Sequence, residues 1–337
     1  MKSYLFIGID ISKATLDVCV LSPTDVTNCC CHQFSNSPKG FTQLVKWIRQ
    51  KSEGVVDHDW KICMENTGIY SLELNCFLHE KGIWQSMVNA LQIKRSMGVV
   101  RGKTDKADSK TIAFYAYRFS DKLKPYELPA GVLLRLRALF IQRERLVSMH
   151  SQLLVGNQSM KGYPKDLVKD IQGQNEVLLK SLNVEIKAVD KSIKECLQED
   201  KDLGRKARLI QSVPGIGQQT AVYLLIVSQG MKSFSTPREF ACYSGCAPFE
   251  HTSGISIRGK TKVHFIANRK MKTLLHMAAL NVITFNDELK TYYQRKVAEG
   301  KNPMSVLNAV RFKLVCRIFS VVKRNEEFQK EYKKIAA

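Results

Sequence analysis

Two neighbouring stretches, YLFIGID (residues 4–10) and TLDVCVL (residues 15–21), decide the fold. The first is apolar up to its last residue and reads as a buried strand ending on a carboxylate. The second alternates apolar and polar residues and reads as its hairpin partner. Met1 to Asp10 holds one Lys and reaches an acid almost at once, which fits a first strand and not an export signal. A third strand is expected over 29–34. Ser37-Pro38-Lys39-Gly40 then opens a helix with Phe41, Leu44, Val45 and Ile48 on one face. Trp60 to Met64 is a short apolar strand ending at Glu65. A helix over 71–81, a strand over 83–88, a basic connection from Gln92 to Lys103 and a helix over 105–119 follow.

Three strands in a meander, then helix, strand, helix, strand, helix, predict a mixed sheet flanked by helices, the α/β RNase H-like (RuvC-like) arrangement. Such a sheet can gather carboxylates. One lies on the first strand, one at the end of the fourth, and the others on a helix packed nearby. Asp10 and Glu65 each end an apolar strand. Asp105 and Asp108 stand three apart at a helix start, hence on one face. Converging carboxylates suit hard cations such as Mg²⁺, which clamp the attacking and leaving oxygens of phosphoryl transfer. Acids at a helix N-terminus also serve as plain caps, so the ordered conjunction of all four carries the expectation. Asp17, in the alternating strand, is read as solvent-facing. Lys94, Arg95, Arg101, Lys103, Lys106 and Lys110 surround the helical acids, a field that favours a phosphodiester substrate.

Beyond Pro125 and Pro129 the pattern changes. Residues 131–155 and 175–205 are long, charged and helix-periodic, and Gly156 to Gly173 holds the turn signals between them. They predict an antiparallel helical pair, a coiled-coil arm or a plain helical linker. A mainly α domain begins near Arg208, with helices over 218–227, 270–284 and 305–324. The expected division is 1–125, 126–207 and 208–337. Pro214-Gly215-Ile216-Gly217 resembles a helix-hairpin-helix turn, in which Gly215 and Gly217 let backbone N–H groups approach a phosphate. Ordinary Pro/Gly turns share that composition.

The chain of 337 residues has 52 Lys+Arg against 31 Asp+Glu, a net charge of +21 that points to a polyanionic partner, nucleic acid above all. No run approaches about 18 uninterrupted apolar residues, so no membrane span is expected. The ten cysteines show no paired framework and read as reduced and structural in a cytoplasmic, nucleoid-associated protein. Cys29-Cys30-Cys31-His32 cannot easily share one ion, because neighbours in a strand face opposite sides. Cys242, Cys246 and His251 lack a fourth ligand at zinc spacing.

Six phrases, in order, carry a resemblance: Gly8-Ile9-Asp10-Ile11-Ser12-Lys13, Met64-Glu65-Asn66-Thr67-Gly68-Ile69-Tyr70, Lys103-Thr104-Asp105-Lys106-Ala107-Asp108, Val213-Pro214-Gly215-Ile216-Gly217, Tyr243-Ser244-Gly245-Cys246-Ala247-Pro248 and His251-Thr252-Ser253-Gly254. Together they resemble the DEDD transposases of the insertion-sequence "one-ten" family, related to the Piv DNA invertases, over nearly the whole chain. The resemblance implies a RuvC-like domain, a C-terminal transposase domain, and a tetramer. It also implies a bridge RNA that pairs with donor and target DNA. A serine of the C-terminal domain would attack the phosphodiester to give a phosphoserine intermediate, at a composite site where a partner subunit's DEDD acids hold Mg²⁺. The matching motif assigns that serine to Ser253, with Ser244 and Ser256 as alternatives. Arg258, Lys260, Lys262, Arg269, Lys270 and Lys272 follow with no acid between Glu250 and Asp287, and could hold the scissile phosphate or RNA. Val263 to Lys270 keeps only part of the family's phrase, which leaves the roles of His264 and Asn268 open.

Three other readings compete. A plain nuclease or junction resolvase would use water as nucleophile and need only the four acids. An actin-like ATPase shares the Gly-x-Asp strand but needs a second glycine-rich phosphate motif, which is missing. A scaffold would bind nucleic acid without breaking it.

Overall fold

The computed structural model describes residues 4–330 except 23, 26, 66–69, 97–104, 254–256, 264 and 265, and leaves undescribed the side chains of 105–107, 165, 250–253 and 257–262. The chain forms two compact units, Met1–Leu128 and Pro129–Ala337.

The first unit runs β1 (Leu5–Ile11), β2 (Thr15–Leu21), β3 (Cys29–Ser35), α1 (Pro38–Lys51), β4 (Trp60–Glu65), α2 (Leu72–Glu80), β5 (Gln85–Val88), α3 (Ala90–Ser96) and α4 (Asp105–Arg118). The sheet order is β3-β2-β1-β4-β5. β1, β2 and β3 pair antiparallel, whereas β4 pairs parallel with both β1 and β5. This is the RNase H-like arrangement expected from the sequence. Ser12 closes the first hairpin, its Oγ accepting from the Thr15 N–H at 2.9 Å.

Alternation along each strand sorts the two faces. Leu5, Ile7, Ile9, Leu16, Val18, Ile62 and Met64 are buried with Phe41, Leu44, Val45 and Ile48 of α1 and Leu74 and Leu78 of α2. Ser37 caps α1, its Oγ accepting from the Gly40 N–H, and Pro38 occupies the first turn. The opposite face takes α4, whose approach needs a glycine. A Cβ on Gly8 would fall 2.3 Å from both the Ala113 N and the Ser109 O. Where a basic connection was expected, residues 90–96 are helical. Asn89 starts this turn by accepting from the Leu91 N–H at 2.9 Å, and Ile93 anchors it in the core.

The second unit contains α5 (Gly131–Ser159), α6 (Lys165–Glu199), α7 (Lys201–Gln211), α8 (Gln218–Val227), α9 (Pro237–Tyr243), β6 (Pro248–Ser253), β7 (Ile257–Val263), α10 (Arg269–Phe285), α11 (Asp287–Ala298) and α12 (Pro303–Arg324). α5 and α6 are antiparallel. Arg135 pairs with Glu199 at 2.6 Å, Arg143 with Asp190 at 2.7 Å, and Asn175 with Asn157 at 2.6 Å, numbers rising on one helix as they fall on the other. The chain reverses through Met160–Gly162 and Tyr163-Pro164, so Gly173 lies inside α6 and not in the turn. Proline ends the reversal because it favours a first helical turn over continuation. Leu133, Leu136 and Phe140 of α5 and Ile193, Cys196 and Leu197 of α6 join α7, α8, α10 and α12 in one apolar core. The sequence pattern does not announce α11. Asn286 starts it by accepting from the Leu289 N–H at 3.0 Å, and only Leu289 of its residues is buried, which leaves little apolar periodicity to read.

Arg311 of α12 is buried and donates from Nη2 to His276 Nδ1 at 2.6 Å. Desolvation, and then the guanidinium, hold His276 below the ordinary histidine range. Between its folded value and the ordinary one of about 6.5, the unfolded chain binds the extra proton, so stability rises with pH. Acidification through that window is expected to lower the unfolding midpoint. His276→Gln, which still accepts from Arg311, is expected to flatten this part of a pH-dependent denaturation profile. An unchanged slope would contradict the assignment.

Candidate active site

Asp10 is the last residue but one of β1, on the same face as Gly8 and therefore on the side covered by α4. The parallel register pairs Gly8 with Cys63 and Ile9 with Met64. One further step sets Glu65 alongside Asp10, at the carboxyl ends of adjacent parallel strands. Both residues are half-buried. The antiparallel register on the other side pairs Asp10 directly with Asp17, and Asp17 with Gln33.

Helix α4 brings the other acids. Ser109 is fully buried and its carbonyl lies against Gly8. Asp105 precedes Ser109 by one turn, about 6 Å of helix. Asp10 follows Gly8 by two residues, about 7 Å of strand. Asp108 adjoins Ser109 and is half-buried. Asp10 and Glu65 thus lie two residues beyond the level of this contact on adjacent strands, and Asp108 and Asp105 lie one residue and one turn before Ser109 on α4. The Asp105 side chain itself lies outside the described residues.

Asp17 corrects the sequence reading. It is half-buried beside Asp10, and its two carboxylate oxygens accept from Gln33 Nε2 at 3.0 and 3.1 Å. Alternation along β2 indicated a face but not which face. Only the register against β1 shows that Asp17 shares the side of Asp10. Gln33 escapes the sequence reading, although as the cross-strand partner it donates to both carboxylate oxygens of Asp17 beside the site. Several carboxylates on one patch repel unless a cation lies among them, and oxygen-only donors select a hard divalent ion.

Of the basic residues beside the acids, Lys94 and Arg95 are exposed on α3. Arg101 and Lys103 lie outside the described residues, as does the side chain of Lys106. Lys110 is exposed, its Nζ 5.7 Å from the centre of the Phe114 ring.

In the second unit, Ser253 is the last residue of β6 and pairs with Ile257 of β7. Its side chain, and those of Arg258, Lys260 and Lys262 on β7, lie outside the described residues, as do Ser256 and His264. Ser244 is fully buried and hydrogen-bonded to the Ala241 carbonyl at 3.4 Å, a position closed to a phosphodiester. Asn268 is a helix cap. Its Oδ1 accepts from the Met271 N–H at 2.8 Å, and its Nδ2 donates to the Tyr243 hydroxyl at 2.7 Å. Arg269 is exposed at the start of α10, whereas Lys270 is held by Glu144 of α5.

The glycine turn has two distinct parts. Gly215 has φ +81°, and a Cβ there would fall 2.3 Å from Val282 Cγ1. Its glycine is therefore dictated by packing against α10. Gly217 is the N-cap of α8 and has open space where a Cβ would be. A cavity of about 730 Å³ lies there, between this turn and Leu274, Met277 and Asn281 of α10. No side chain caps α8, so its first N–H groups are left for an outside acceptor.

Residues 7–158 match a family model for DEDD transposases of IS110 type, described as "Transposase", and residues 207–294 match one described as "Transposase IS116/IS110/IS902 family". Pilin gene-inverting proteins of Moraxella lacunata and Moraxella bovis are each 28% identical over 333 residues, covering 97% of this chain and 98% of theirs. The 43.6 kDa protein of insertion element IS110 from Streptomyces coelicolor is 30% identical over 115 residues, 34% of this chain and 28% of that protein. Among solved structures, T. thermophilus RuvC in complex with a Holliday junction substrate is similar at 12% identity and a TM-score of 0.27, over 36% of this chain and 99% of that one. No helix among the described residues is long and apolar enough to cross a membrane.

Proposed function

This chain belongs to the IS110 family of DEDD transposases, related to the pilin gene-inverting proteins, and from that premise we propose that it cuts and rejoins DNA through a phosphoserine intermediate, guided by a bridge RNA. The observation that carries the reading is the placement of Asp10 and Glu65 at adjacent strand ends, under the helix whose first turn carries Asp105 and Asp108.

Asp10, Glu65, Asp105 and Asp108 would hold Mg²⁺, an assignment supported by an all-oxygen donor set on one face. When bound, Mg²⁺ supplies charge neutralisation at the scissile phosphate and lowers the pKa of a coordinated hydroxyl. Asp17, restrained by Gln33, adds negative charge next to Asp10 and favours cation occupancy. The Ser253 Oγ attacks phosphorus. One P–O bond forms to the serine, one P–O bond to the sugar breaks, and the serine proton ends on the departing sugar oxygen. Attack by a second sugar hydroxyl reverses these changes on a new strand and releases the serine. A free hydroxyl is a weak nucleophile, so the serine needs the carboxylate centre to act. The composite arrangement, with acids and serine from different subunits of a tetramer, follows the family resemblance.

The net charge of +21 supports engagement of donor DNA, target DNA and RNA together. Exposed Lys94, Arg95 and Arg269 would contact phosphates, as would Arg101, Lys103, Arg258, Lys260 and Lys262. Gly215 and Gly217 would present the start of α8 to a backbone. Lys270 is expected to contribute less, because Glu144 already neutralises it. Nucleoid association in the cytoplasm follows from such binding.

The test is a trapped adduct. Wild-type protein with Mg²⁺, donor and target DNA and the RNA encoded beside its gene is expected to give a denaturation-resistant protein–DNA species. Ser253→Ala is expected to abolish that species and strand exchange while nucleic-acid binding persists. Full exchange by Ser253→Ala would remove the serine from the reaction. Cleavage by wild type without any adduct would favour the water-using nuclease.

A further inference from the structure

A second cluster of reactive side chains lies on the same sheet face, one strand step from the carboxylates. Cys19 of β2 is fully buried and pairs in register with Cys31 of β3. Cys29, two residues before Cys31, shares its face. The three Sγ atoms all lie within 4.8 Å of one another. Zn–S bonds of about 2.3 Å place the sulfurs of a tetrahedral set about 3.8 Å apart, so small side-chain rotations bring these three to ligating distance. Cys30, between Cys29 and Cys31, points to the other face and is exposed. Three adjacent cysteines alone could not serve one ion. The antiparallel pairing with β2 replaces the wrongly facing Cys30 by Cys19.

We propose that Cys19, Cys29 and Cys31 form a three-thiolate site for a zinc-class cation, separate from the carboxylate centre. Thiolates select soft or borderline ions, whereas the carboxylates select hard ones, so two metals would partition between neighbouring sites. Ala113 and Phe114 of α4 and Phe6 of β1 pack around the thiols and keep the site largely dry. A cavity of about 370 Å³ reaches Cys31 past Asp17, Gln33 and Ser109, giving an ion a way in and leaving space for water as fourth ligand. Burial, and then the neighbouring Cys31 sulfur, hold the Cys19 thiol protonated well above the ordinary range. Ligation by Cys19 therefore releases its proton and weakens as pH falls. The site would fasten β2 and β3 together beneath α4, and Asp17 lies two residues from one ligand.

The test uses full-length reduced protein, freed of metal and titrated with Co²⁺. Wild type and Cys30→Ser are expected to take up one thiolate-bound Co²⁺, seen as sulfur-to-cobalt charge-transfer absorption that Zn²⁺ abolishes. Carboxylate-bound Co²⁺ gives no such band. Cys29→Ser and Cys31→Ser are expected to lose it while circular dichroism stays that of wild type. A second readout needs no variant. Zn²⁺ is expected to protect Cys29 and Cys31, but not Cys30, from alkylation mapped by mass spectrometry. Absence of the band in wild type, its survival in Cys29→Ser and Cys31→Ser, or alkylation of Cys29 and Cys31 unchanged by Zn²⁺ would each overturn the proposal.

Discussion

Asp10→Asn is expected to lower strand exchange by roughly 10³-fold or more, since it removes one preorganised charge from the point where phosphoryl transfer develops its own. The substitution keeps the side-chain shape and replaces one carboxylate oxygen by a donor. Asp10 lies at the strand end, half-buried, with Asp17 and Glu65 on either side. The apolar face of β1, built on Leu5, Ile7 and Ile9, is untouched. Stability and DNA binding are therefore expected to remain near wild type. Under the proposed ligand set, raising Mg²⁺ would recover little, because ligand geometry and not occupancy alone would be lost. Exchange within about tenfold of wild type, measured on supercoiled donor and linear target, would remove Asp10 from the metal centre.

The second large effect is structural. Gly8→Ala is expected to destabilise the first unit by about 3 kcal/mol or more, at the upper end of what overpacking a tight contact costs. The added Cβ meets backbone atoms of α4, the Ala113 N and the Ser109 O, both at 2.3 Å. Backbone cannot rotate away as a side chain can, so the helix must lift from the sheet. Since α4 also carries Asp105 and Asp108, activity is expected to fall with stability. Gly131→Ala serves as the control, because a Cβ at the start of α5 meets nothing within 4 Å. There the gain in helix propensity is expected to leave stability equal or slightly higher. Urea unfolding followed in both variants checks the pair, and a Gly8→Ala midpoint equal to wild type would contradict the close packing of α4 on β1.

Much of the first unit was legible because its strands are short, apolar and sharply ended. YLFIGID and the run Trp60 to Glu65 announce buried strands, and each ends on an acid, Asp10 and Glu65. The helix over 105–118 was legible from its two acids and its apolar period. Register was not legible. Asp17 was assigned to solvent because alternation within one strand cannot say which partner lies opposite, and the same gap hid Gln33. It also hid the neighbourhood of Cys19 and Cys31, which meet only through the β2–β3 pairing. In the second unit, the glycines at 156, 162 and 173 suggested a broad turn, yet the reversal takes only a few residues and ends at Pro164. Lys270 looked like one more free cation in a basic run. Glu144, 126 residues earlier in the chain, neutralises it, and no local pattern carries that information.

In the proposed reaction, the carboxylates and the serine form one centre from two subunits. Mixing Asp10→Asn protein with Ser253→Ala protein tests it most directly. Each alone is expected to be inactive. Together, a subunit with intact acids can meet a subunit with an intact serine, so mixed assemblies are expected to recover a substantial fraction of strand exchange and of the covalent adduct. The contradicting result is no product from any mixing ratio, while each variant still co-assembles with wild-type protein on DNA and RNA.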